Sequence, residues 1–187
     1  MMSLVRNQLD REVFPAHRLD RGTSGALLFA LHADALRTLN SAFEAGDVDK
    51  RYLALVRGRP EPSEGLVDYA IPRGEEGERV PAQTEYRVVH QLDHYALVEV
   101  RPLTGRLHQI RRHWKHLRHP IVYDMQYGRG RFNARCHEDC GIERMALHAA
   151  WLTFPHPRTG ERVRVTAPLP DDLAVPFRRL TIPEALL

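Results

Sequence analysis

With 187 residues, a net charge of +3 and 43% hydrophobic residues, the chain fits one domain that buries about two-thirds of its unfolded surface. No apolar run approaches the roughly eighteen residues of a membrane span, residues 1–14 lack the apolar core of a secretory signal, and Cys136 and Cys140 are the only cysteines. A reduced, cytoplasmic setting is expected. Lys50 and Lys115 are the only lysines, so 25 of the 27 cations are arginines, whose planar forks suit phosphates and stacked bases; GC-rich coding gives the same bias.

The first informative stretch is His17-Arg18-Leu19-Asp20-Arg21-Gly22-Thr23-Ser24-Gly25, which sets one carboxylate between two arginines at the mouth of a Thr-Ser-Gly turn. Arg18 or Arg21 would hold Asp20 ionised, and the donors of the turn would favour the charged form further. Such a carboxylate can act as nucleophile or base; the alternative is a turn cap paired with a surface arginine. The aspartic-protease pattern does not apply, because Arg21 and Gly22 separate Asp20 from the hydroxyl residue.

Residues 26–31 form an apolar run that predicts a buried strand fixing this turn to a sheet. Over residues 34–45, Leu36, Leu39 and Phe43 recur at helical spacing, and Gly46 is a C-terminal stop. Residues 51–56 read as a strand with Tyr52 on one face, and 60–65 and 73–81 as Pro/Gly-rich loops. Residues 84–89 and 95–100 predict a strand pair around a turn at 91–94.

A turn at 102–105 leads into a predicted amphipathic helix, 106–118, whose stripe is Leu107, Ile110, Trp114 and Leu117. Arg111 falls at the margin of that stripe, where a half-buried cation requires an anionic partner, and Asp20 is the candidate. Residues 101–119 hold six Lys and Arg and no acidic residue, the footprint of a polyanion partner or of a solvated helix face. Residues 128–141 read as a surface insertion carrying Arg129, Arg131 and Arg135. Cys136, His137 and Cys140 with His148 lack the spacing of a zinc knuckle, and no metal is expected. Two more strands, 146–154 and 162–167, flank a turn at 157–160. Strands in pairs with few helices predict an α+β fold with a mixed, mainly antiparallel sheet flanked by helices.

These motifs, in this order, make the chain resemble the RluA-type pseudouridine synthases over about residues 17–169. The resemblance rests on His17-Arg18-Leu19-Asp20 with Thr23-Ser24-Gly25, and on Lys50-Arg51-Tyr52-Leu53-Ala54 with Val56-x-Gly58. It also rests on Leu103-Thr104-Gly105-Arg106-Leu107-His108-Gln109-Ile110-Arg111 followed by His119-Pro120-Ile121 and Asp124, and on Leu147-His148-Ala149 with Pro157-x-Thr159-Gly160-Glu161.

It implies the pseudouridine synthase fold and isomerisation of a uridine in RNA without cofactor or metal: the N1–C1′ bond breaks, the uracil turns and C5 is rejoined to C1′. Asp20 matches the family's catalytic aspartate, Tyr52 the tyrosine that lies against the target base and Arg111 the basic residue paired with the aspartate. Arg18 matches the arginine that enters the RNA stack. Arg21, Thr23, Arg106, His108, Gln109 and Leu147 complete the expected substrate contacts. Whether Asp20 adds to C1′, adds to C6 or takes a ribose proton stays open.

The stretch from Arg112 to Arg144 resembles most the members that modify tRNA near the end of the T-stem, while Gly65-Leu66-Val67-Asp68 and residues 81–86 are shared with ribosomal-RNA members. tRNA is the favoured partner, with a monomer and no membrane. Relatives carry an N-terminal strand and a Lys-Pro-x-Gly motif before the aspartate motif, whereas here His17 follows after sixteen residues. The reading therefore expects that segment, and an S4-type RNA-binding domain, to be missing. Tyr123 stands where a glycine is usual. A catalytically impaired RNA-binding remnant is the rival reading.

Overall fold

The computed structural model describes residues 2–74, 77–128, 133, 136–138 and 140–187. A seven-stranded sheet organises the chain, in the order β11-β10-β4-β9-β8-β5, where β4 is Asp49–Arg57, β5 Glu64–Asp68, β8 Gln83–Gln91, β9 Tyr95–Pro102, β10 Leu147–Pro155 and β11 Arg162–Thr166. All these pairs are antiparallel; the short β2, Ser24–Gly25, adds a parallel pair on β10 and makes the sheet mixed, as expected for an α+β fold.

Alternation along β4 and β9 sorts the core into two faces. Tyr52, Ala54, Val56, Val98 and Val100 face α3, Gln109–His116, and pack with its Ile110 and Trp114. Leu55 and Leu97 face the opposite way, onto Leu173 and Phe177 of α4, Asp171–Arg179. Both faces are covered, which explains why residues 53–56 are an unbroken apolar run rather than an alternating one. The α2 helix, Ala33–Ala45, starts at His32, whose Nδ1 accepts from the Ala35 N–H at 3.2 Å, and ends at Gly46 with φ 79°. Its Leu39 and Ala42 pack against Leu152 and Phe154 of β10.

Residues 26–31 do not form the expected buried strand. Only two-residue pieces pair, Ser24–Gly25 and β3, Phe29–Ala30, the latter with β1, Phe14–Pro15, and most of the run is half-buried. Gly25 is the cause: it takes φ 114°, and its backbone lies so close to β10 that a Cβ would stand 2.2 Å from the Ala149 carbonyl oxygen. The chain turns there, and the Ala26 N–H donates to that oxygen at 2.9 Å. Gly25→Ala should therefore cost about 3 kcal/mol or more in urea unfolding, since the obstacle is rigid backbone and the dihedral is left-handed.

Other departures are local. The predicted 106–118 helix begins at Gln109, because His108 sits at φ 53° and ends the turn before it. Within the predicted 73–81 loop, β7, Arg79–Val80, pairs with β6, Ile71–Pro72. In the predicted surface insertion, Asn133, Cys136 and Cys140 are buried, the cysteines packing with Phe177, whereas Arg129, Arg131 and Arg135 lie outside the described residues. The N-terminal α1, Met2–Leu9, and α4 are unanticipated. No helix among the described residues is long and apolar enough to cross a membrane.

Candidate active site

Sheet register brings the first motif to the second. Gly25 aligns with Ala149 on β10, and Ala149 aligns with Tyr52 on β4, so the turn carrying Asp20 is docked two strands from Tyr52 along one line across the sheet. Arg144 clamps the turn, donating to the Gly22 carbonyl at 3.1 Å and Ser24 Oγ at 2.9 Å while it pairs with Asp172 at 2.7 Å. Ser24 also meets His148 Nδ1 at 2.9 Å, and the other nitrogen of that ring donates to the Ala167 carbonyl at 3.0 Å. Within the turn the Thr23 N–H donates to the Asp20 carbonyl at 3.0 Å.

Asp20 does not pair with its chain neighbours as the sequence suggests. Arg18 and Arg21 are exposed and form no ion pair with a described residue, because the turn leaves both on its outer side. The cation beside Asp20 is Arg111, whose Nη1 lies 3.5 Å from Oδ2; His108 Nε2 is 3.9 Å from Oδ1. The partner predicted for the edge of α3 is thus the observed one.

Arg111 is held more tightly elsewhere. Asp124, with a side chain 0% exposed, takes Nε at 2.7 Å and Nη2 at 2.9 Å in a two-pronged contact. Asp124 Oδ1 also accepts the Gln126 and Tyr127 N–H groups, each at 3.0 Å, and the Tyr127 ring lies 4.8 Å beneath the guanidinium. Burial opposes the Asp124 charge, but Arg111 and these two amides overcome it and hold its pKa below the usual range. Burial likewise works against Arg111, and Asp124 with Asp20 raises it all the same. The result is a permanent cation with fixed orientation that leaves Asp20 only loosely engaged. Among sequence features only the appearance of Asp124 after His119-Pro120-Ile121 hinted at this role.

Tyr52 is buried, and burial first, then the charge of Asp20, push its phenol up to about 12. It stays protonated at neutral pH. Lys50, two residues earlier on the same face of β4, has its ammonium pKa lowered by burial against the pull of Asp49. Burial pushes His108 down as well, reinforced by Arg111 and Arg112 against Asp20. Its Nδ1 meets the Tyr127 hydroxyl at 3.1 Å. Thr23 Oγ1 is buried with no hydrogen-bond partner among the described residues.

Two of the expected substrate contacts sit inside the protein. Gln109 donates to the Gln83 carbonyl and Thr84 Oγ1 at 2.9 and 3.0 Å and accepts from the Arg106 N–H and Thr104 Oγ1 at 3.0 and 2.7 Å. All four of its hydrogen-bonding positions are filled, so it holds the loop before α3 and has none left for a ligand. Leu147 is buried in the apolar cluster that contains Tyr52. Arg106 is exposed and bonds the Pro81 carbonyl at 3.3 Å. Tyr123 has φ 61°, the left-handed backbone that favours the glycine usual there.

The basic block is less free than its composition implies. Arg101 pairs with Asp49 and Glu85, Arg111 with Asp124 and Asp20, and His113 is buried. Arg106, Arg112, Lys115 and Arg118 remain without a carboxylate partner among the described residues.

Buried imidazoles near the site make the fold acid-sensitive. His17 Nε2 accepts the Leu28 N–H at 3.1 Å and so must be neutral; burial is the main cause that lowers its pKa to about 4. Burial also lowers His113 and His148. The unfolded chain takes up these protons below about pH 6.5, while the folded chain resists, at His17 until about 4, so this stabilisation is complete above 6.5 and is lost as pH falls. Urea unfolding at pH 5 should give a stability about 2 kcal/mol lower than at pH 7.5 from His17 alone.

Residues 1–116 match the family model described as RNA pseudouridylate synthase. The chain is 38% identical over 190 residues to tRNA pseudouridine synthase C of Haemophilus ducreyi, covering 89% of this chain and 76% of that one. It is 40% identical over 167 residues to ribosomal large subunit pseudouridine synthase C of Yersinia pestis, covering 84% of this chain and 52% of the relative. The structure of human RNA pseudouridylate synthase domain containing 4 superposes with a TM-score of 0.80 at 26% identity, over 96% of this chain and 80% of the other. Sequence motifs, fold and relatives agree, and the chain belongs to the RluA-type RNA pseudouridine synthases.

Proposed function

We propose that the protein isomerises a uridine of tRNA, near the end of the T-stem, to pseudouridine, with Asp20 as the catalytic carboxylate. The observation that carries this reading is the carboxylate itself. It is 18% exposed, 3.5 Å from an arginine already locked by Asp124, and close enough to Tyr52 to raise its phenol.

A uridine in a stem must leave the stack before its glycosidic bond can be reached, at a cost of a few kcal/mol. Exposed Arg18, at the mouth of the turn, occupies the vacated place, and exposed Arg21 and Arg106 meet the backbone. The uracil lies against Tyr52 above the apolar wall that includes Leu147. Asp20 then drives cleavage of N1–C1′. The base turns within the pocket, C5 bonds to C1′, and the C5 proton is released as N1 gains one. No electrons change hands. Neutral His108, whose Nε2 is 3.9 Å from Asp20, hydrogen-bonds the nucleotide beside that carboxylate.

The preference for tRNA is supported by relatives named tRNA pseudouridine synthase C, one of which aligns over 100% of this chain at 36% identity. Ribosomal RNA is the second reading, favoured by the 40% identity to the ribosomal relative. Unmodified tRNA and ribosomal-RNA transcripts carrying 5-tritiated uridine separate them. The expected result is about one tritium released per tRNA, with the new pseudouridine mapped to the T-stem. Release from ribosomal RNA alone would remove the tRNA reading, and release from neither would remove the isomerase reading.

A further inference from the structure

Between α3 and the paired β6 and β7 lies a cavity of about 490 Å³, within the range of about 300–1,000 Å³ that holds small ligands. Its lining combines flat rings with cations. His116 stacks on Tyr69 with centroids 3.5 Å apart and planes at 16°, and the Arg79 guanidinium lies 4.5 Å from the same ring. Lys115 Nζ stands 5.5 Å from the Tyr127 ring. None of the described lining residues is acidic, and neither Arg79, Arg112 nor Lys115 has an ion-pair partner among the described residues.

Arg112 is committed to structure. It donates to the Tyr127 hydroxyl at 2.9 Å and to the Pro72 and Gly74 carbonyls at 2.8 and 2.6 Å, tying that strand pair to α3. Arg79 bonds the Ala70 carbonyl through one nitrogen, and exposed Lys115 has no hydrogen bond to a described residue. Lys115 and the rest of Arg79 are therefore the cations left for a ligand.

Asp20 is not part of the cavity's lining but stands one ring away from it. Tyr127 forms part of its wall, lies under Arg111 at 4.8 Å, and bonds His108, which faces Asp20. We propose that this cavity is a second nucleotide site. It holds one nucleotide of the substrate RNA other than the target uridine, with the base laid against the Tyr69 and His116 pair and the phosphate on Lys115 and Arg79.

Stacking on a ring tolerates any base, and the cations meet any phosphate, so the site positions the strand rather than reads it. An acidic peptide would use the cations but not the rings. The inference rests on the RNA-isomerase reading above, yet its readout is binding and is independent of turnover.

The test is tRNA affinity as a function of salt for the intact chain and for K115A, R79A, K115R, Y69A and R158A. K115A and R79A should each weaken binding several-fold and flatten the slope of log K against log salt by about 1. K115R should restore the slope. Y69A should weaken binding about tenfold with the slope unchanged. R158A, on an exposed turn away from the cavity, serves as the charge control and should match the unsubstituted chain.

Lys115 is exposed, so K115A probes the cavity even if Y69A fails to fold. Unchanged affinity and slope in both K115A and R79A would overturn the proposal. So would uridine monophosphate bound in the cavity while RNA affinity ignores K115A, R79A and Y69A alike, which would make it a free-nucleotide site. A protein that binds tRNA as expected but releases no tritium from any RNA would instead remove the isomerase reading alone.

Discussion

Asp20→Asn lowers single-turnover tritium release by about four orders of magnitude or more, while tRNA affinity stays within a few-fold. The amide has nearly the same shape but can neither carry the charge that attacks or deprotonates nor return a proton, and loss of a group directly in the chemistry has effects of this order. The turn should survive, because it is closed by the backbone bond from the Thr23 N–H to the Asp20 carbonyl and clamped by Arg144. What the substitution removes is the negative charge in the 3.5 Å contact with Arg111. Removing a negative charge from a surface that meets phosphates will not weaken binding and should strengthen it slightly. Circular dichroism and a tRNA titration on the same preparation check both halves of the result.

Asp124→Asn is the second large effect, and it falls on stability as well as rate. Asp124 is 0% exposed and holds Arg111 by two bonds. With its charge gone, a guanidinium remains in a largely buried place with the looser Asp20 contact as its one ion pair among the described residues, beside the Gln126 amide oxygen at 3.3 Å and the Tyr127 ring. Breaking one side of such a pair costs about 3–5 kcal/mol. Tritium release should fall on the order of a hundredfold, because Arg111 and with it Asp20 lose their fixed geometry.

Replacing both members, as in Arg111→Met with Asp124→Asn, separates these effects. Removing both charges of a buried pair is near neutral for stability, and the Asn oxygen still accepts the Gln126 and Tyr127 N–H groups, so urea unfolding should recover most of the loss. Activity should not recover. Recovery of both would mean that the pair only holds the fold. If Asp124→Asn kept the stability and rate of the unsubstituted protein, the role given to Asp124 would be wrong.

Local patterning made much of this legible. The 3.6-residue spacing of Leu36, Leu39 and Phe43 with Gly46 found α2 to within one residue. Alternation and turn residues found β4, β8, β9, β10 and β11. The wheel of α3 put Arg111 at the margin of its apolar stripe and thereby asked for an acid, and Asp20, 91 positions away in the chain, supplies one contact.

The misses share a physical cause: they depend on what the chain packs against. An apolar run at 26–31 looks like a strand until Ala149 blocks every residue but glycine at position 25. Asp124 sits in a loop with no period, and only the folded chain shows that both its oxygens reach Arg111. Gln109 carries the residue type of a ligand contact, yet four internal partners fill it. α4 does show an acidic first turn, a basic last turn and apolar Leu173, Ala174 and Phe177, but Pro176 in its middle reads as a breaker. The charge of the 101–119 block overstated the free cations, since the carboxylates that neutralise Arg101 lie on other strands.

The most direct test of the central claim is single-turnover release of tritium from tRNA labelled at uridine C5, followed beside pseudouridine formation in the same RNA. Release that equals pseudouridine formed and vanishes in folded, RNA-binding Asp20→Asn is the predicted result. Equal release from Asp20→Asn, or none from a folded protein that binds tRNA and ribosomal RNA, would contradict it.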